Sequence, residues 1–237
     1  MPCRNKLNQT PGGRKTAAAN VIAIDGPAGS GKSTVAKAVA KRLGLLYVDT
    51  GAMYRALTLK ALKKGLTFDK HLALVKMTKN TRIRLKMNSD ILSVYLDTQD
   101  VTQDIRQPAV TEKVRFLAAI EAVRSQMLKL QRKLVRSSRG AVLEGRDIGT
   151  VVFPDARYKF YLDADKDVRV QRRFKELGQM VQGLSQEEVS RDIKSRDKTD
   201  MERKVAPLAK AKDAVYIDTT DLSVAEVAEK IIQICSM

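Results

Sequence analysis

Gly26-Pro27-Ala28-Gly29-Ser30-Gly31-Lys32-Ser33 carries the full pattern G-x-x-x-x-G-K-[ST], with Thr34 directly after it. Glycines let backbone N–H groups turn inward around phosphates without Cβ clashes. A helix that starts at the end of such a loop adds partial positive charge. Lys32 is placed to reach β- and γ-phosphates, and the Ser33 hydroxyl to ligate Mg²⁺. The motif therefore predicts a site for ATP or GTP with Mg²⁺. There is no Asn-Lys-x-Asp guanine motif, and 237 residues is short for a helicase.

Three further clusters supply groups for a second substrate. Asp49-Thr50-Gly51-Ala52-Met53-Tyr54-Arg55 places an arginine that can grip a phosphate bidentately. Glu144-Gly145-Arg146-Asp147 continues through Ile148-Gly149-Thr150-Val151-Val152-Phe153-Pro154-Asp155 and offers an adjacent Arg–Asp pair. The third cluster is rich in arginine: Arg169, Arg172 and Arg173, then Arg191, Arg196 and Arg203 beyond a loop at Gly178–Gly183. Arginines that close over a transferring phosphoryl group neutralise its charge and exclude water. Taken singly, each of these charges also fits a solvated surface.

These residues need elements to hold them. Val21 to Asp25 is a short apolar run before the glycine loop, hence a buried strand, and Ser33–Leu43 has helical spacing up to Gly44. A strand over 45–48 is followed by a helix over about 51–64, with Thr50 as its expected cap. Residues 70–79 read as a helix, and 81–87 with 91–96 as a hairpin turning at Asn88-Ser89-Asp90. Residues 97–107 read as turns. Helices are expected over 108–119, 120–138, 166–177, 185–197 and 223–235, and strands at 141–143, 158–162 and 214–217. Strands alternating with helices give a parallel sheet covered on both faces. Both charged motifs emerge at the carboxyl edge of that sheet, beside the glycine loop. The hairpin falls outside the alternation and reads as an insert.

Bulk properties narrow the classes. No segment approaches the roughly 20 apolar residues of a membrane span. The first 19 residues contain Arg4, Lys6, Arg14 and Lys15 and no acid; they read as a disordered tail, with an organelle-targeting segment as the alternative. Two cysteines, Cys3 and Cys235, do not make a disulfide framework, and the single His71 excludes a Cys/His zinc site. The net charge of +17 attracts polyanions. Residues 60–89 hold nine basic groups against Asp69 alone, and 124–139 hold six and no acid. With no tryptophan and no aromatic-basic interleaving, a nucleic-acid-stimulated NTPase is the weaker reading.

In order and spacing, the four clusters resemble the bacterial cytidylate kinase family, including Arg196-Asp197, Asp200, Arg203 and Ala206-Pro207-Leu208. The resemblance spans about 21–236. It implies a three-layer α/β P-loop NTPase fold in one unit over 20–237. The core would comprise about 20–64, 139–165 and 204–237; a nucleoside-monophosphate-binding insert with antiparallel strands would occupy 65–138, and a helical lid 166–203. It implies transfer of the ATP γ-phosphate to CMP, and to dCMP, with Mg²⁺. Thr50, Arg124, Asp147 and Arg203 would surround the cytosine, with Tyr54 also in the acceptor site. Arg55 and Arg146 would hold the acceptor phosphate, Arg196 and Asp200 the ribose region, and Arg172 the ATP phosphates. Lys32, Arg55, Arg146 and Arg172 form the implied catalytic set. A cytoplasmic monomer with no membrane or specific nucleic-acid partner is expected. The sequence departs from the family pattern at Arg115, where a small hydroxyl residue is usual, and at Glu121, where proline is. The choice between CMP and dCMP stays open. Other phosphate acceptors, such as AMP, UMP or shikimate, are the rival kinase substrates.

Overall fold

The computed structural model describes residues 20–88, 91–178 and 183–236. The expected tail, Cys3, the turn residues Ser89 and Asp90 and most of the Gly178–Gly183 loop lie outside the described residues.

Five short strands form a parallel sheet: β1 (Val21–Asp25), β2 (Leu46–Asp49), β6 (Ala141–Gly145), β7 (Tyr158–Asp163) and β8 (Val215–Asp218). Their order across the sheet is β2-β6-β1-β7-β8. β1 and β6 are buried at every position, as continuous apolar strands between helical layers must be. Helix α1 (Lys32–Leu43) runs back over this sheet and packs on β6 and on α8 (Val224–Ser236).

A second sheet is antiparallel: β3 (Ile83–Asn88), β4 (Ile91–Leu96) and the short β5 (Gln99–Asp100). Around it lie α2 (Thr50–Lys63), α3 (His71–Lys79), α4 (Pro108–Ala118) and α5 (Glu121–Arg136). Ile83, Leu92, Val94 and Leu96 join one apolar cluster that continues into the main sheet. The pair α6 (Lys166–Gly178) and α7 (Gln186–Glu202) instead has its own small cluster of Val170, Val189 and Ile193. The basic residues of 60–88 lie mostly on the surface, apart from pairs such as Lys60–Asp97 and Lys63–Asp104.

Four details correct the sequence reading. Asp49, not Thr50, caps α2: its carboxylate accepts from the Ala52 amide at 2.7 Å. The turn-rich 97–107 stretch contains β5 and a 3₁₀ turn at Asp104–Arg106, too short to show a period. Helix α7 runs to Glu202 rather than 197, because ion pairs replace the apolar period beyond Ile193. Ile148–Val152 forms one π-helical turn, with Phe153 N donating to Ile148 O at 2.7 Å. No helix among the described residues is long and apolar enough to cross a membrane.

Candidate active site

The glycine loop joins β1 to α1, and its glycines are required by contact. A Cβ on Gly26 would lie 2.1 Å from the Leu162 carbonyl oxygen, and one on Gly29 would lie 2.6 Å from that of Arg169. Gly29 also has φ of 78°, where side chains are strained. Ser30 and Lys32 each donate to the Pro27 carbonyl, at 3.1 and 3.0 Å. No acid occupies the first turn of α1, so its free amides keep their charge for an anion. Burial pulls Lys32 below the usual lysine range, and the neighbouring Arg146 adds to this while Glu144 opposes it. A buried ammonium aimed at an open cleft is a group waiting for negative charge.

Sequence reasoning assigned no role to two buried carboxylates near the loop. Glu144, at the end of the strand adjoining β1, is 4% exposed. Burial, then Asp49, raises its pKa, while Lys32 and a hydrogen bond with Ser33 oppose the rise. Tyr47 donates to it at 3.2 Å. An acid ending a core strand beside a phosphate loop was the available signal. Asp25 is the other: it accepts from the amides of Ile148 and Gly149, both at 2.8 Å, and so fixes the segment that presents Arg146 and Asp147. Burial pushes Asp25 up to about 7 against those two bonds.

Beyond Lys32 the cleft, about 370 Å³, opens between α2, α4, α5 and α7. Asp147 pairs with the buried Arg124, and Arg203 lies 3.7 Å from its other oxygen. The Arg124 guanidinium sits over the Tyr54 ring at 5.6 Å. Burial raises Tyr54 to about 12, so it is a neutral donor. Thr50 donates to the Glu144 carbonyl at 2.7 Å, which leaves its oxygen as an acceptor. A side chain at Gly145 would meet that hydroxyl at 2.8 Å.

The middle of the cleft is cationic. Arg55 pairs with Asp49 at 3.1 Å. Arg146 donates through Nε to Asp200 at 2.8 Å. Burial works to raise Asp200, but Arg146 with Arg203 and Arg196 holds it below the carboxylate range. Arg196 falls to about 10 through burial, then through Arg173 and Arg146. Like charges crowded in this way mark an anion site.

All the acceptor-site candidates thus gather in one cleft: Thr50, Tyr54, Arg55, Arg124, Arg146, Asp147, Arg196, Asp200 and Arg203. Arg172 lies beside the phosphate loop, where a Cβ on Gly31 would be 3.9 Å from its Nη1. Its guanidinium is committed to Thr219 Oγ1 at 2.9 Å and to the Thr219 carbonyl at 2.6 Å. It shapes a second groove of about 430 Å³ along Gly29 to Val35 and the start of α8. Arg173 on the same helix lines both grooves. Arg191 is exposed and lines neither. Arg115 lines the cleft mouth and donates to Ser195 at 2.9 Å.

No cluster of three metal-ligating side chains occurs among the described residues. Mg²⁺ needs none, because it takes one or two hard oxygen ligands with water and phosphate. Ser33 beside the buried Glu144 fits that demand.

A parallel sheet with a glycine loop between β1 and α1, and an anion-lined cleft at its carboxyl edge, defines a P-loop nucleotide-binding enzyme of the small-kinase type. The sequence model of the family described as "Cytidylate kinase" matches residues 22–237. A cytidylate kinase of Caldanaerobacter subterraneus is 46% identical over 210 residues, covering 89% of this chain and 92% of the relative. One of a Geobacillus species is 47% identical over 215 residues, covering 90% and 95%. A Synechococcus protein named bifunctional pantoate ligase/cytidylate kinase is 48% identical over 217 residues, covering 90% of this chain and 40% of that longer protein. The chain belongs to the cytidylate kinase family.

Proposed function

We propose that this enzyme transfers the γ-phosphate of ATP to CMP, and to dCMP, giving CDP or dCDP and ADP. The observation that carries the reading is the acceptor edge formed by Asp147 and Thr50. Asp147 is a buried carboxylate held by Arg124 and Arg203. Cytosine presents a donor amine at N4 and acceptors at N3 and O2. A carboxylate and a hydroxyl oxygen accept from N4, and the arginines donate to the acceptors. Uracil would set its O4 acceptor against the carboxylate.

In this reading, residues 65–138 form the acceptor-binding insert and 166–203 the lid, which its separate apolar cluster supports. Gly26–Thr34 wraps the ATP phosphates, and Lys32 sits between β and γ. Ser33 and Glu144 would hold Mg²⁺, which would supply charge neutralisation and orientation of the phosphates. Arg55 and Arg146 align the acceptor phosphate in line, while Arg173 and Arg196 neutralise the equatorial oxygens of the transferred group. Arg172 keeps the loop after β8 against the donor groove. Asp200 and Arg196 border the ribose. The acceptor oxygen is already anionic, so no general base is needed, and Asp147 acts in recognition alone.

Anion-exchange chromatography of an ATP, Mg²⁺ and CMP incubation tests the reaction itself. Equal appearance of CDP and ADP supports it; ADP without CDP contradicts it.

A further inference from the structure

Arg196 rides on α7, so the helix needs a fixed reference. Besides the Arg115–Ser195 bond, two ion pairs hold it near the cleft. Asp200 takes Arg146 Nε at 2.8 Å, and one turn earlier Asp197 takes Arg169 Nη1 at 2.5 Å. The same Arg169 nitrogen donates to the carbonyl of Ala28, inside the phosphate loop, at 3.1 Å. The first turn of α6 also lies directly on that loop, since a Cβ at Gly29 would lie 2.9 Å from Arg169 Cβ. Arg169 and Asp197 are nearly buried, each with a side chain 12% exposed.

These two bonds are not equivalent. Arg146 is a group the acceptor phosphate competes for, so its bond to Asp200 changes when substrate binds. The Arg169 bonds run only between protein groups. Consecutive helical residues point about 100° apart, so pinning Asp197 fixes the direction of Arg196. Arg196 Nη1 is itself buried without a hydrogen-bond partner among the described residues, with Asp192 Oδ2 at 3.6 Å. Asp197 Oδ1 likewise lacks one, and Arg169 Nε has only the longer approach of Asp163 Oδ1 at 3.8 Å.

We propose that Arg169 is a positioning residue that ties the phosphate loop at Ala28 to Asp197 and thereby aims Arg196 at the transferring phosphoryl group. This rests on the kinase reading above. A displacement of about 1 Å in such a group costs on the order of 10²-fold in rate.

The test is steady-state turnover of ATP and CMP by wild type, Arg169→Lys, Asp197→Asn, Arg196→Lys and the Arg169→Lys/Arg196→Lys double variant. Circular dichroism monitors folding. Arg169→Lys and Asp197→Asn should each lower kcat about 10- to 100-fold, with KM for CMP changed less than about threefold. In the Arg196→Lys background, the Arg169→Lys change should cost less than about threefold further, because its effect acts through Arg196. Additive losses, an unchanged kcat, or a loss confined to KM would overturn the proposal. If Arg169→Lys does not fold, Asp197→Asn decides by the same criteria; if neither folds, the pair is structural and the proposal fails. A wild type that makes no CDP would refute the kinase reading instead, which separates the two.

Discussion

Arg124 on α5 and Asp147 after β6 form a buried ion pair that joins α5 to the carboxyl edge of the main sheet. Asp25 holds the Asp147 segment from β1, and Arg203 approaches from the end of α7. Three parts of the molecule therefore converge on one carboxylate. Asp147→Asn removes the charge and turns half of the acceptor edge into a donor. It should lower kcat/KM for CMP by on the order of 10²-fold or more, while activity on UMP falls less. Parallel kinetics with the two nucleotides check this.

Lys32→Met should separate function from stability. The ammonium is buried and its charge disfavoured there, so an apolar isostere relieves a cost. Thermal unfolding without nucleotide should be unchanged or slightly higher. Turnover should fall about 10²- to 10³-fold, the usual loss for a donor aimed at transition-state charge.

Asp25 predicts an unusual pH dependence. Its carboxyl rises from 3.8 to about 7 in the folded protein, so the folded state binds the proton more tightly than the unfolded one. Between those values the unfolded chain binds fewer protons, and the Asp25 contribution to stability falls as pH rises. The span corresponds to on the order of 4 kcal/mol. Urea unfolding of wild type and Asp25→Asn at pH 4.5 and 7.5 measures it. Wild type should lose stability relative to the variant as pH rises.

Gly29→Ala places a methyl against the Arg169 backbone at a positive φ. Strain of this type costs about 1–3 kcal/mol, and relief requires α6 to move off the loop. Chemical denaturation should show that loss, and ATP affinity measured by titration calorimetry should fall about tenfold or more.

The core of this fold is legible because β1 and β6 are apolar runs closed by polar residues, β7 is one broken only by Lys159, and α1 has helical spacing between glycines. The hairpin is legible from alternation, as Ile83, Leu85 and Met87 face inward from Arg84, Lys86 and Asn88. What escaped has no period: two residues of β5, a single π turn, and the charged end of α7. The site residues follow the motifs, since Arg55, Arg146, Asp147 and Arg203 all enter one cleft. The hydrogen-bonded roles do not follow. Nothing local shows that Arg172 is committed to Thr219, or that Asp25 braces the segment after Asp147. Those partners lie far apart in sequence: Arg172 is 47 residues from Thr219, and Asp25 is 123 from Ile148.

The most direct measurement is kcat/KM from coupled ADP release with ATP and Mg²⁺ across CMP, dCMP, UMP, AMP, GMP and shikimate. Recognition of N4 by Asp147 and Thr50 predicts that CMP leads UMP and AMP by about tenfold or more, one good polar contact in discrimination. A preference for AMP or shikimate, or turnover of none of them, would contradict it.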